Sequence, residues 1–113
     1  MNTLKNRVQL IGNLGQTPEV KNLDNGRKVA RMSIAINENY KDTQGEYHSD
    51  TYWHTIVAWG KTAEIAERFL VKGSEVAIDG KLVTRTYTNA EGQKRYVTEV
   101  VANSVLLLTR KAV

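Results

Sequence analysis

The chain contains no cysteine, which excludes disulfides, zinc ribbons and thiol chemistry and fits a reducing compartment. No apolar run approaches the ~20 residues of a membrane span, and the start, MNTLKNRVQLIG, lacks the continuous apolar segment of a signal peptide. A soluble, cytoplasmic protein is expected. Internal repeats, linkers and low-complexity segments are also missing, and a single proline, Pro18, interrupts the chain. What remains is 113 residues with 16 Lys and Arg against 12 Asp and Glu, a net charge of +4 and a pI near 9.4. That length supports one domain with one core, small enough that oligomerisation would help it. The basic excess suits a polyanionic partner without demanding one.

The most informative stretch is Thr51 to Leu70, TYWHTIVAWGKTAEIAERFL. Ten residues of β-branched and aromatic character run to Gly60, after which the hydrophobic period changes from two to about 3.6, so a strand feeds directly into a helix. On that strand Trp53, Thr55, Val57 and Trp59 share one face, and Tyr52, His54, Ile56 and Ala58 share the other. The two tryptophans lie roughly 20 Å apart along it at ~3.3 Å per residue. Either both are core, as large aromatics usually are, or the face has another use.

Around this stretch the chain reads as further strands. Val8 to Leu14 is an apolar strand with Gly12 inside it, the mark of a bulge or close approach. Leu23-Asp24-Asn25-Gly26 carries a turn signal, and Ala30, Met32, Ile34 and Ile36 then alternate with more polar residues. The polar segment from Glu38 to Asp50, with Gly45 near its middle, reads as a mobile hairpin loop. In the helix after Gly60, Thr62, Ile65, Ala66, Phe69 and Leu70 make one apolar stripe, stopped by Lys72-Gly73. Val76, Ile78 and Leu82 share a face of the next strand, which continues through Arg85 and Tyr87 to a loop at Asn89-Ala90-Glu91-Gly92, and a last strand returns over Tyr96 to Leu108. Five long strands with one helix between the third and fourth is the order of an OB-fold, an all-β Greek-key barrel. Glycines at 12, 60 and 80 favour this closed form over an open α+β sheet. Residues 1–108 are expected to form the domain and 109–113 a short C-terminal end.

Function is argued from sites. Trp53, Trp59, Tyr40 and Tyr87 each have a cation nearby in the sequence, with Lys41 beside Tyr40 and Arg85 near Tyr87. Single-stranded nucleic acid is held by a positive groove that follows phosphates and by aromatic faces on which bases stack. Taken one at a time, the same residues are ordinary caps on a core and a solvated charged face. Two catalytic readings fail. Gly60-Lys61-Thr62 resembles the end of a phosphate-binding loop, but the required first glycine is Thr55. His48, Asp50 and His54 have no spacing that gathers them into a metal or acid-base site. No enzyme activity, cofactor or metal is expected.

The stretches VQLIGNLGQTPEV (Val8 to Val20), Trp53-His54 with Trp59-Gly60-Lys61, AEIAERFLVKG (Ala63 to Gly73) and GQKRYVTEV (Gly92 to Val100), in this order, resemble the bacterial single-stranded DNA-binding protein (SSB) family over about Asn6 to Val105. The resemblance implies an OB-fold assembled as a homotetramer, nucleoid-associated in the cytoplasm, that wraps single-stranded DNA and protects it in replication, recombination and repair. Its stacking positions fall on Tyr40, Trp53, Trp59 and Tyr87. Its phosphate contacts fall on Arg7, Lys61, Lys72 and Arg85, with Lys41 a further candidate, and its interface histidine falls on His54. Tyrosines stand at 40 and 87 where many members carry tryptophan, and Thr55 and Thr86 where some carry a cation. Members usually continue into an acidic tip that recruits repair and replication enzymes; this chain stops at Arg110-Lys111-Ala112-Val113, so that recruitment is not expected of it. The alternatives kept open are a restart scaffold similar to primosomal replication protein N and an OB-type subunit that binds only protein.

Overall fold

The computed structural model describes residues 5–108; the short end expected over 109–113 lies outside them. The elements are β1 (Val8–Leu14), β2 (Glu19–Asn22), β3 (Lys28–Lys41), β4 (Tyr47–Trp59), α1 (Gly60–Phe69), β5 (Glu75–Thr88) and β6 (Lys94–Leu107). β1 pairs antiparallel with β5, and β5 with β6. β6 runs parallel to β4 over Val100–Ala102, and β4 pairs antiparallel with β3 along its whole length. β3 returns to β1 through Asn13 opposite Ala35 and Leu14 opposite Ile34. These five strands close into the barrel expected of an OB-fold, and closure removes most of the open sheet edge.

A close approach explains two of the glycines. A Cβ on Gly12 would lie 2.5 Å from the Ala35 carbonyl oxygen where β1 crosses β3, and one on Gly80 would lie 2.2 Å from the Val101 oxygen. At Gly80 the β5–β6 register also shifts, Asp79 facing Ser104 while Gly80 faces Ala102, so β6 carries an extra residue and bends.

The core is made of Leu14, Met32, Ile34, Ile56, Val76, Ile78 and Val100 inside the barrel, with Ala30, Ala58 and Ala102 where space is tight. α1 caps one end through Ala63 and Ala66, joined by Leu70 just past its last turn, all buried. Two expectations change here. Ile65 and Phe69, read as part of the helix stripe, are 42% and 51% exposed; the helix turns its small residues to the barrel, which lets it approach closely, and leaves the larger ones outside. Leu82 is 48% exposed because β5 has left the barrel after Gly80 and continues as an arm.

Two more features were not read from the sequence. β2 is a sixth, short strand whose only half-buried residue is Val20, too brief for a period of two to register. The segment from Glu38 to Asp50 is not a mobile loop but a paired ribbon, closed by a turn over residues 42–46. Polar residues on both faces hide its alternation. Three hairpins share one turn design: in Leu23–Arg27, Asp42–Glu46 and Asn89–Gln93 the first N–H donates to the fifth carbonyl, and the fourth residue is a glycine at φ 82, 85 and 81°. This is a type I turn with a glycine bulge. Asp42 Oδ1 additionally accepts the N–H groups of Gln44 and Glu46, and Asn89 Oδ1 those of Glu91 and Gln93.

Candidate nucleic-acid interface

Paired residues of an antiparallel ladder point to the same face, so the register sorts the side chains of β3 and β4. Ile56 opposite Met32 and Ala58 opposite Ala30 point into the core. The other parity points outward and carries Trp53 opposite Ala35, Thr55 opposite Ser33, Val57 opposite Arg31 and Trp59 opposite Val29. Through the parallel pairing, Val57 continues onto Val101, and through β6 onto Glu99 opposite Val83 and Val97 opposite Arg85. The result is a groove of about 430 Å³ across the outside of the barrel, between the β2–β3 hairpin and the β5–β6 arm.

Trp53 is 61% exposed, and its inner edge rests on Gly15, where an added Cβ would stand 2.5 Å from the ring's Cζ3. Gly15 in turn is fixed by its N–H donating to the Ser33 carbonyl at 3.0 Å. The indole is therefore laid on the barrel rather than sunk into it. Trp59 is 37% exposed, and the Arg27 guanidinium sits 4.6 Å from its ring centroid, a cation–π contact that fixes one face of the ring. Both tryptophans stand outside the core, on the face their spacing put them on.

The floor of the groove holds a charge cluster that sequence reasoning missed. Glu99, only 5% exposed, receives Arg85 Nε at 2.9 Å and Arg31 Nη1 at 2.8 Å. Hydrogen bonding from Arg85 first, and the charge of Arg31, hold the Glu99 carboxylate below its usual range against the opposing effect of burial. The same pairing raises Arg85. Two guanidiniums around one carboxylate leave a net positive charge at the centre of the groove, and both arginines remain nearly half exposed. No local signal pairs residues 31, 85 and 99; only barrel closure brings them together.

The remaining sequence candidates divide. Lys61 is exposed in the first turn of α1, two residues after Trp59. Lys72 is exposed, and its backbone N–H donates to Thr17 Oγ1 at 3.3 Å, two residues from the Gly15 seat of Trp53. Neither ammonium has an ion-pair partner among the described residues. Tyr87 is 46% exposed opposite Arg95, on the Val83–Arg85 face of the β5–β6 arm. Arg7 lies apart: it is bound at both ends of its guanidinium by Asp79 (3.1 and 2.9 Å) on the β1–β5 side and does not line the groove. Tyr40 and Lys41 fall on opposite faces of the β3–β4 arm. Tyr40 stacks on His48, ring centroids 5.2 Å apart, on the face that continues the core side, whereas Lys41 reaches over Tyr47 at 5.5 Å on the tryptophan side. His54 is half-buried opposite Ile34 on the core side, with no hydrogen bond among the described residues.

His48 pairs with neither Asp50 nor His54 but with Asp42, Nε2 to Oδ2 at 2.7 Å. Asp42, Glu46 and His48 bring their ligand atoms within 4.8 Å of one another. The Asp42 carboxylate is already engaged by two turn amides and the imidazole, chiefly by His48, which keeps it below its usual range. These contacts lock the turn.

The model of the single-strand binding protein family matches residues 5–108. Among solved structures, one described as the Plasmodium falciparum SSB complex with ssDNA is similar to this chain, with 33% identity and a TM-score of 0.84 over 96% of this chain and 100% of that one.

Proposed function

The chain belongs to the single-strand binding protein family, and from that premise we propose that it binds single-stranded DNA with little regard to sequence, protecting it in replication, recombination and repair, by binding alone and without catalysis. The observation that carries this is the pair of tryptophans lying open on the outer face of a closed barrel beside a groove with two arginines. A folded chain gains little by leaving an indole 61% exposed, whereas a base stacking on such a ring is worth ~1 to 3 kcal/mol. Trp53, Trp59 and Tyr87 are the stacking rings of this reading. Lys61 and Lys72 pair with phosphates, and Arg85 does so together with Arg31, the Glu99 carboxylate holding both guanidiniums up to the strand. The relative in the solved complex carries ssDNA on a chain of the same fold. Arg7 is taken out of the phosphate path because Asp79 already neutralises it.

Fluorescence anisotropy with labelled oligo(dT) and a labelled duplex tests this. Preference for the single strand is expected, with log K falling by about 0.7 per phosphate contact per log unit of salt. Equal affinity for the duplex would refute it.

The same reading has the protein act as a homotetramer. On β1, residues Val8–Gly12 pair only with β5 among the described residues, leaving a strand edge open to a second copy. The outer face of β1, β5 and β6 exposes Ile11 (57%) and Leu106 (62%) around Ala77, and half-buried His54 is a further contact candidate. Light scattering on the purified chain decides: a monomer mass would exclude this assembly.

A further inference from the structure

Trp59 stands at one end of the groove, as the last outward residue of β4 before α1. In the ladder it lies opposite Val29, and the next outward pair, Val57 with Arg31, is inside the groove. Arg27 precedes Val29 by two residues, so it reaches the ring from the other side, beyond the last pair of the β3–β4 ladder. Its guanidinium is 4.6 Å from the Trp59 centroid, and while Trp59 lines the groove, Arg27 does not. The cation therefore covers the face of the indole turned away from the groove. Its base is fixed: the Arg27 carbonyl accepts the Leu23 N–H at 2.7 Å, and the Arg27 N–H donates to Asn25 Oδ1 at 3.0 Å. Lys28, the next residue, points the opposite way and pairs with Glu67 of α1 at 2.7 Å. Arg27 has no carboxylate partner among the described residues.

We propose that Arg27 is the positioning residue of Trp59 and also a phosphate contact: it closes the outer face of the indole so that a base stacks on the groove face alone, and the edge of the same guanidinium takes a phosphate beside that base. This rests on the single-strand binding reading above. A guanidinium stacked on a ring uses its flat face and leaves its N–H donors pointing outward in the plane. No side-chain hydrogen bond occupies those donors among the described residues, so they can hold a phosphate while the contact with the ring is kept. An indole held from behind also meets its base already oriented, with less side-chain freedom to lose on binding. Lys61 follows Trp59 at the same end of the groove, which adds a second cation where the strand passes.

The test joins a readout on the free protein to one on binding. In the Trp53→Phe background, where Trp59 is the only tryptophan left, Arg27→Ala should raise acrylamide quenching of the unliganded protein by about twofold, because removal of the stacked cation opens a second ring face. Oligo(dT) is then titrated at several salt concentrations into the wild type, Arg27→Ala, Arg27→Lys, Trp59→Ala and the Arg27→Ala, Trp59→Ala double variant, with thermal melts as a check on folding. Arg27→Ala should lower the slope of log K against log salt by about 0.7 and lose about fivefold or more in affinity. Arg27→Lys should restore the slope but not the full affinity, since an ammonium keeps the charge and lacks the flat stacking face. With Trp59 already replaced by alanine, Arg27→Ala should cost at least about twofold less than in the wild type, because the part that acts through the ring is gone. Unchanged quenching, an unchanged salt slope, full affinity in Arg27→Lys, or an equal loss with and without Trp59 each overturns the assignment while leaving the groove reading intact. Failure of the wild type to bind any oligo(dT) overturns both.

Discussion

Replacing Gly15 with alanine moves Trp53 without removing it, which makes this substitution a sharp probe of the groove. The new methyl would stand 2.5 Å from Cζ3 and 3.0 Å from Cη2 of the indole, against an ordinary carbon–carbon contact of about 3.5 to 4 Å, so the ring must retreat by about 1 Å. The ring is 61% exposed and free to do so, and the stability of the fold should change by about 0.5 kcal/mol or less, as for other surface substitutions. Stacking is more demanding of position. Trp53→Ala should cost ~1 to 3 kcal/mol of binding, about 5- to 150-fold in Kd, and Gly15→Ala should lose part of that, about three- to tenfold. The assay is oligo(dT) affinity by anisotropy for both single variants and the double variant, with thermal melts alongside. If Gly15 acts through the indole, the double variant binds no more weakly than Trp53→Ala alone, because the two changes share one interaction. An equal further loss in the Trp53→Ala background, or a fall in stability of the size of a core truncation, would refute the reasoning.

Lys61→Ala should lower the slope of log K against log salt by about 0.7, one phosphate's share on a single strand, measured by repeating the titration at several salt concentrations; an unchanged slope removes Lys61 from the phosphate path. Glu99→Gln should destabilise the fold at pH 7 by about 1 to 3 kcal/mol, the worth of hydrogen bonds to a buried charged group, read from urea denaturation. Because Arg85 and Arg31 depress the Glu99 pKa in the folded chain, the carboxylate's contribution is complete above its unfolded value of about 4.3 and is lost as pH falls through the lower folded value. Wild type and variant should therefore converge in stability below about pH 4, and a gap undiminished at pH 3 would contradict this linkage. Gly80→Ala should cost about 1 to 3 kcal/mol in the same assay, since its methyl would meet the Val101 carbonyl oxygen, a backbone atom that cannot swing aside.

Period-two alternation over Ala30–Ile36 and Thr51–Trp59, with glycines at 12 and 80, was enough to read the barrel, because one buried face imposes a strict pattern on a strand. The pattern failed where burial is absent. The β3–β4 arm beyond Ile36 is polar on both faces, so its ladder leaves no trace in hydropathy, and nothing in the sequence tells that Tyr40 and Lys41, as adjacent strand residues, point to opposite sides. That Trp53 and Trp59 share one face was legible in their parity; that this face looks outward was not, because parity alone fits a core face equally well, and the seat of Trp53 on Gly15 was hidden because the contact joins segments 38 residues apart and Gly15 reads equally well as a turn. The pairing of Arg31 and Arg85 on Glu99 was hidden for the same reason.

The central claim is that both indoles stand open to nucleobases, and the chain's own fluorescence measures it most directly, since Trp53 and Trp59 are its only tryptophans. Oligo(dT) titrated into the unlabelled protein should quench the emission strongly and saturate at a fixed ratio of nucleotides to protein. Emission that stays unchanged while anisotropy reports binding would place the DNA elsewhere on the surface and contradict the account.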